Sequence, residues 1–433
     1  MSVVPAPAPT ADAVLAHVRD GSDVIVPTAN GEPATLLDAI EAAAAAATLD
    51  GVRVHQVFAL RDRPHHAAAF GDRLRHVSYF LSHAMKDHYE AGTVDLVPND
   101  LGHIPSILAT LDDPLLVVST SMPDDHGYIS FGTNANYAAA LRGDVRVFVE
   151  CNHQMPRTAG RNQLHLSDAL GWVEADYPLV SPPPSVITDR DRAIAALVAE
   201  RIPEAACLQV GIGSVPEAVA GLLVDRKDLG VHTELLTDGL RLLIESGAAT
   251  GARKTVGRYQ AVTTDSVGSP ELYAFLDGNP HVVFWPVDES NDLRVLAALD
   301  RFCAINATMQ VDLLGQCASE SLGTHYVSST GGQADFMRGA SLSNGGHSFV
   351  VTHSTAHDVA TGSTVSRIVP TLTEGAVVTT HKNLVDKVVT EHGVAELRGR
   401  TVAQRAEALI AIADPAHRDE LRGAARRFGY MRS

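Results

Sequence analysis

Lysine is nearly missing from this chain: five of its 433 residues are lysine, so almost all of the 34 basic side chains are arginine. Arginine stays protonated and forks onto carboxylates and phosphates, whereas lysine is a flexible point charge. Positive charge is scarce altogether, because 51 acidic side chains leave a formal net charge of −17. A field of that sign argues against nucleic acid or an anionic membrane as partner, though a few local arginines can still hold a small anion. Cysteine is equally sparse, and Cys151, Cys207, Cys303 and Cys317 are far apart with no C-x-x-C pair. A disulfide framework and a zinc knuckle are therefore not expected, and a reducing compartment fits. No long hydrophobic run is present; the alanine tract at 42–47 is far too short to cross a bilayer. Residues 1–10 are rich in Pro and Ala and lack the basic segment and apolar core of a signal peptide, so they read as a flexible leader. A soluble, cytoplasmic protein is expected.

What is present is a globular composition, 45% hydrophobic and 20% charged, with mean hydropathy +0.04. At about 150 residues per domain, the length predicts two or three domains. Short β-branched runs predict strands at 24–26, 52–58, 115–119, 145–150, 207–210, 281–285, 348–352, 376–380 and 387–389. Between them, helices are predicted at 35–49, 190–201, 216–224, 235–246 and 402–413. That alternation predicts an α/β architecture with largely parallel sheets. The stiff Ser181-Pro182-Pro183-Pro184-Ser185 segment divides the chain into domains 1–180 and 181–433.

Several chemistries are not signalled. The chain has no P-loop, no H-E-x-x-H, no EF-hand loop and no G-x-S-x-G elbow. His353 and His357 would share a helix face, but residues 350–352 read as a strand running into a loop, so both are taken as ordinary imidazoles. His65-His66 is read as a solvated pair, and no metal ligands are assigned.

Three segments carry more information. Gly211-Ile212-Gly213-Ser214-Val215-Pro216 follows an apolar strand and opens an amphipathic helix. Its glycines allow a tight turn, and the helix N-terminus offers N–H groups to an anion. It imitates a dinucleotide fingerprint with Pro216 in place of the third glycine, and a plain strand–helix turn stays open as a reading. In His232-Thr233-Glu234-Leu235, a short strand gives way to a predicted helix. Thr233 then reads as an N-cap and Glu234 as a first-turn acid. Alternatively, Glu234 is a functional carboxylate at a strand end, where open α/β sheets place ligands. Gly331-Gly332-Gln333-Ala334-Asp335-Phe336 pairs glycines after a polar run, suiting either a tight turn or close backbone approach to a ligand.

Together with other segments, these resemble the acetyl-CoA hydrolase/transferase family, whose members include 4-hydroxybutyrate and butyrate CoA-transferases of class I. In the first half the resemblance rests on Asp125-His126-Gly127-Tyr128, Met155-Pro156-Arg157-Thr158 with Gly160, and His165 with Ser167-Asp168. In the second it rests on the three segments above, Ala304-Ile305-Asn306-Ala307, Ser354-Thr355-Ala356, Ser366-Arg367-Ile368-Val369-Pro370, Val389-Thr390-Glu391-His392-Gly393 and Leu397-Arg398-Gly399.

The resemblance implies two similar open α/β domains with largely parallel sheets and an active site at the domain interface. It implies Glu234 as the catalytic carboxylate. It also implies an oxyanion pocket from the turn through Val210, Gly211 and Gly213 and from the loop at Gly332, with Asn291 near the thioester. Gly331, Gly332, Arg338 and Arg367 are candidates for holding coenzyme A. Family members often carry G-G-K where this chain has Gly345-Gly346-His347, and Leu-Pro where it has Thr352-His353. The implied reaction passes CoA between an acyl-CoA and a short-chain carboxylic acid through a glutamyl-CoA thioester. CoA enters as a substrate, with no permanently bound cofactor. The implied partners are these small molecules and further copies of the chain, as a homodimer or homotetramer. An acyl-CoA hydrolase would use the same glutamate. An NAD-dependent oxidoreductase or a non-catalytic CoA-binding subunit fits less well.

Overall fold

A parallel strand covered on both faces must be apolar along its length. Leu115–Thr120 is such a strand, buried at all six positions. The protein is described by a computed structural model over residues 5–358 and 362–432. In it, this strand lies third in a seven-stranded sheet ordered Gly171–Ala175, Arg146–Asn152, Leu115–Thr120, Asp23–Ile25, Val52–Gln56, Leu74–Ser78 and Val94–Leu96. Every neighbouring pair is parallel.

The helix Ala34–Ala45 lays Leu36, Leu37, Ile40, Ala43 and Ala44 onto the core formed with Val24, Val52, Val54, Leu115 and Val117. Each large side chain buried there contributes about 1.5–3 kcal/mol. The helix stops short of residue 49 because Ala47 takes φ +54°, and the Thr48 amide reaches back to the Ala43 carbonyl at 3.0 Å. Within the expected leader, the Ala8 amide donates to the Trp172 carbonyl at 2.7 Å, and Trp172 Nε1 donates to the Pro5 carbonyl at 2.8 Å. Residues 1–4 lie outside the described residues.

The chain forms two compact units. The first comprises Met1–Pro183 and also Glu234–Leu236 and Val262–Ser290; the second comprises Pro184–Thr233, Thr237–Ala261 and Asn291–Ser433. Gly160 ties the first unit together. Strand Ala159–Gly160 pairs with Val282–Phe284, and a Cβ on Gly160 would sit 2.2 Å from the Phe284 carbonyl oxygen.

The second unit has its own open sheet, ordered Gly230–Val231, Cys207–Val210, Phe302–Ala307, His347–Val351, Lys387–Thr390 and Gly393–Glu396. All pairs are parallel except the last, an antiparallel edge. Helix Asp189–Ala199 begins in a capping box in which Thr188 and Asp191 satisfy each other's backbone amides. Helices Gln333–Leu342 and Val402–Ile412 bury Phe336, Met337, Leu409 and Ile410 in the core around Phe302 and Val350.

The strand expected at 376–380 does not form. Only Thr380 pairs, in an isolated bridge to Cys317, while the Val377 amide donates to Ser321 Oγ at 2.8 Å and Val378 is exposed. All four cysteines are free and buried. No helix among the described residues is long and apolar enough to cross a membrane.

Candidate active site

The expected helix 235–246 is shorter, Asp238–Glu245, and Thr237 rather than Thr233 is its N-cap residue. Glu234 is therefore not in a helical first turn. It lies in a bend ahead of the two-residue strand Leu235–Leu236, which pairs in parallel with Asp265–Ser266. Three donors converge on its backbone carbonyl: Thr263 Oγ1 at 3.0 Å, the Thr264 amide at 3.1 Å and the Asp265 amide at 2.9 Å. These bonds hold the segment extended where helix propensity would have coiled it. Glu234 itself is partly exposed.

Asp265 was not visible as a site residue in the sequence. Its buried carboxylate accepts from Thr28 Oγ1 at 2.8 Å, Asn134 Nδ2 at 3.1 Å and Asn136 Nδ2. Burial pushes its pKa up to about 6, against those three donors, which favour the charged form. Lys254, in the second unit, is also buried. Its buried ammonium donates to the carbonyls of Val231 at 2.8 Å and Gln260 at 2.7 Å, and burial lowers its pKa to about 8. Gly230 makes room for that side chain, since a Cβ there would lie 2.5 Å from Lys254 Cγ. No local sequence pattern could have disclosed either residue, because their partners lie far along the chain or are backbone atoms.

The glycine turn after Cys207–Val210 divides its tasks. The Gly211 amide is committed to the Ile305 carbonyl at 2.9 Å, and a Cβ on Gly211 would press to 3.0 Å from Asn306 Oδ1. Gly211 thus permits the close approach of two strands. Val210 is the last, buried residue of its strand. The amides of Ile212 and Gly213 make no hydrogen bond among the described residues, and Gly213 has φ +124° at the cap of helix Ser214–Leu222. These two are the N–H groups the turn can offer to an oxyanion.

Gly331 has φ +58°, and Gly332 caps helix Gln333–Leu342. Asp335 in its first turn accepts from Asn291 Nδ2 at 3.3 Å. Asn291 and the Gly331–Gly332 loop, far apart in sequence, thus meet at one helix start. Arg338, on the same helix, is half-buried and forms no ion pair among the described residues. Arg367 is half-buried, and its Nε has no hydrogen-bond partner among the described residues. Burial and then the nearby Arg190 lower the Arg367 pKa, with Glu391 opposing. Arg190 in turn pairs with Glu391, which accepts from Ser354 Oγ at 2.8 Å.

His353 Nε2 lies 2.8 Å from Asp191 Oδ1, while His357 falls on strand Thr355–Asp358, so the two share no helix face. The reading of His65-His66 as a solvated pair is overturned: they are 1% and 0% exposed. Burial of Glu41 and Arg63 around them closes this pair off from water.

Comparison with known proteins places this geometry among relatives. Residues 8–195 match the acetyl-CoA hydrolase/transferase N-terminal domain, and residues 268–425 match the C-terminal domain. The chain is 41% identical to the succinyl-CoA:cyclohexane-1-carboxylate CoA transferase of Geobacter metallireducens, over 95% of this chain and 93% of that one. It is 36% identical to the 4-hydroxybutyrate coenzyme A transferase of Clostridium kluyveri, over 95% of each. Among solved structures, RipA from Yersinia pestis superposes with TM-score 0.92 at 34% identity, over 98% of this chain and 97% of that one.

Proposed function

The chain belongs to the acetyl-CoA hydrolase/transferase family, and on that premise we propose that it transfers coenzyme A between an acyl-CoA and a carboxylic acid, with Glu234 as covalent nucleophile. The observation that carries this reading is the fixing of the Glu234 main chain by three hydrogen bonds to its carbonyl. A carboxylate is a weak nucleophile, so its placement must supply much of the rate.

The Glu234 carboxylate attacks the thioester carbonyl, expelling CoA thiolate and forming a mixed anhydride. The thiolate attacks the glutamyl carbonyl, giving a glutamyl-CoA thioester and releasing the first acid. The second acid's carboxylate attacks that thioester, expelling the thiolate again. The thiolate then takes the new acyl group and Glu234 is regenerated. Each addition puts negative charge on a carbonyl oxygen, and the amides of Gly213 and Gly332 are assigned to receive it. One such donor is worth about 2.7–4 kcal/mol in acyl transfer. Asn291 is assigned to the thioester, and Arg338 and Arg367 to the CoA phosphates. A cytoplasmic location belongs to the same reading.

The test is a panel of acyl-CoA donors against carboxylate acceptors with free thiol monitored throughout. The reading predicts parallel double-reciprocal lines and no net thiol release. Thiol release at the full turnover rate, independent of any acceptor acid, would make the protein a hydrolase instead.

A further inference from the structure

Within the first unit, three imidazoles that the transfer chemistry does not use converge in the interior. His65, His66 and His76 are each 1% exposed or less. One ligating nitrogen from each lies within 4.8 Å of the other two. We propose that His65, His66 and His76 bind a single divalent transition-metal ion, zinc being the best match, as a structural centre separate from Glu234.

The donor chemistry fits. His65 Nδ1 lies 2.6 Å from Glu41 Oε1, so this nitrogen carries the proton and Nε2 presents its lone pair. A carboxylate behind a ligating histidine is the usual arrangement for orienting the ring and raising its basicity. His65 Nε2 lies 3.4 Å from His76 Nδ1. That is long for a hydrogen bond, but two ligands of a tetrahedral ion with Zn–N of about 2.0–2.1 Å are separated by about 3.4 Å. The Nε2 atoms of His66 and His76 are buried and have no hydrogen-bond partner among the described residues. Leaving a buried polar atom unpaired is costly, and His66 Nε2 regains a partner as a ligand.

Of the nearby carboxylates, Glu32 and Glu41 are buried and paired with Arg61 and Arg63, while Asp38 and Asp62 are largely exposed to solvent. One local rearrangement is required. His66 Nδ1 accepts from the Arg63 amide at 3.0 Å, and it must carry the proton once Nε2 binds metal. Asp62 Oδ1, 3.6 Å from that nitrogen and 3.0 Å from His88 Nε2, has to move closer to receive the new hydrogen bond, and the Arg63 amide gives up its acceptor. Three imidazoles leave the fourth tetrahedral position to a water molecule. The site is closed to solvent, so the ion is captured as the chain folds.

The test uses the full-length protein, expressed with added zinc and exhaustively desalted. Metal analysis should give one zinc per chain. X-ray absorption at the zinc edge should show three imidazole nitrogens at about 2.0–2.1 Å. The double substitution His66→Gln with His76→Gln should lose at least nine-tenths of the zinc. Growth with cobalt in place of zinc should give visible absorption typical of a four-coordinate ion, which serves if the double variant does not fold. A wild type holding less than a tenth of an equivalent of either metal overturns the proposal. So does zinc seen with fewer than three imidazole ligands, or zinc retained in full by a folded double variant.

Discussion

The backbone amide of Asp265 donates to the carbonyl of Glu234 at 2.9 Å, while the Asp265 side chain is anchored by Thr28, Asn134 and Asn136. The proposed nucleophile is thus tied through one peptide group to a buried polar network spread over more than two hundred residues of sequence.

That network predicts a pH signature. Asp265 titrates near 3.8 when solvated and at about 6 when folded. A raised carboxyl pKa means that the folded protein holds the proton longer than the unfolded chain. The associated stability is complete below about pH 4 and is lost as pH rises through 6, amounting to about 3 kcal/mol at about 1.4 per unit. Asp265→Asn removes this dependence. Urea unfolding of both proteins at pH 4 and pH 7 should give a stability difference that changes by that amount; a constant difference would contradict the assignment.

Gly213→Ala tests the oxyanion turn. At φ +124° a side chain is strained, while the nearest atom to a new Cβ, Pro216 Cδ, is 3.8 Å away and does not clash. The strain falls on the turn that orients the free amides. Turnover should drop on the order of 100-fold, with the melting temperature moved by only a few degrees. Turnover within twofold of wild type would remove this turn from the mechanism.

The two arginines separate by ligand. Arg338→Ala and Arg367→Ala should each weaken acyl-CoA binding about 10-fold or more, the scale of a charge-assisted hydrogen bond, and leave the fold intact. Dephospho-CoA esters show whether either contact is to the 3′-phosphate, since that variant then binds both ligands alike. Unchanged affinity in both variants rejects the pair.

Assembly is tested by light scattering. A homodimer or homotetramer should give particles at two or four times the 45.9 kDa chain mass. A single species at the chain mass at micromolar concentration contradicts it.

Strands with strong apolar runs were legible in the sequence: Cys207–Val210 carries its own boundaries, and Leu115–Thr120 is one residue longer than expected. Strands Leu74–Ser78 and Gly171–Ala175 were not found, for their few apolar residues are interrupted by Arg75, His76 and Glu174 and become buried only through sheet neighbours. Helix Gln333–Leu342 was hidden by Gly339, a poor helix former. Its role is tertiary, since a Cβ there would lie 2.4 Å from Leu296 Cβ. The segment around Glu234 was legible as a motif but not as a conformation. Its leucines favour a helix, and the bonds from Thr263, Thr264 and Asp265 override that preference. His65 and His66 read as surface residues because the carboxylate behind them, Glu41, belongs to an earlier helix.

The central claim, that Glu234 carries CoA as a thioester, is tested most directly by trapping. Wild-type protein is incubated with acyl-CoA and no acceptor acid, treated with borohydride, digested and mapped by mass. Borohydride reduces a thioester to an alcohol and spares ordinary carboxylates, so the side chain of Glu234 should become a primary alcohol. The change should be absent from Glu234→Gln, which should also have lost transferase activity. Reduction mapped to a different residue, or transfer persisting at more than a trace in Glu234→Gln, would contradict the account.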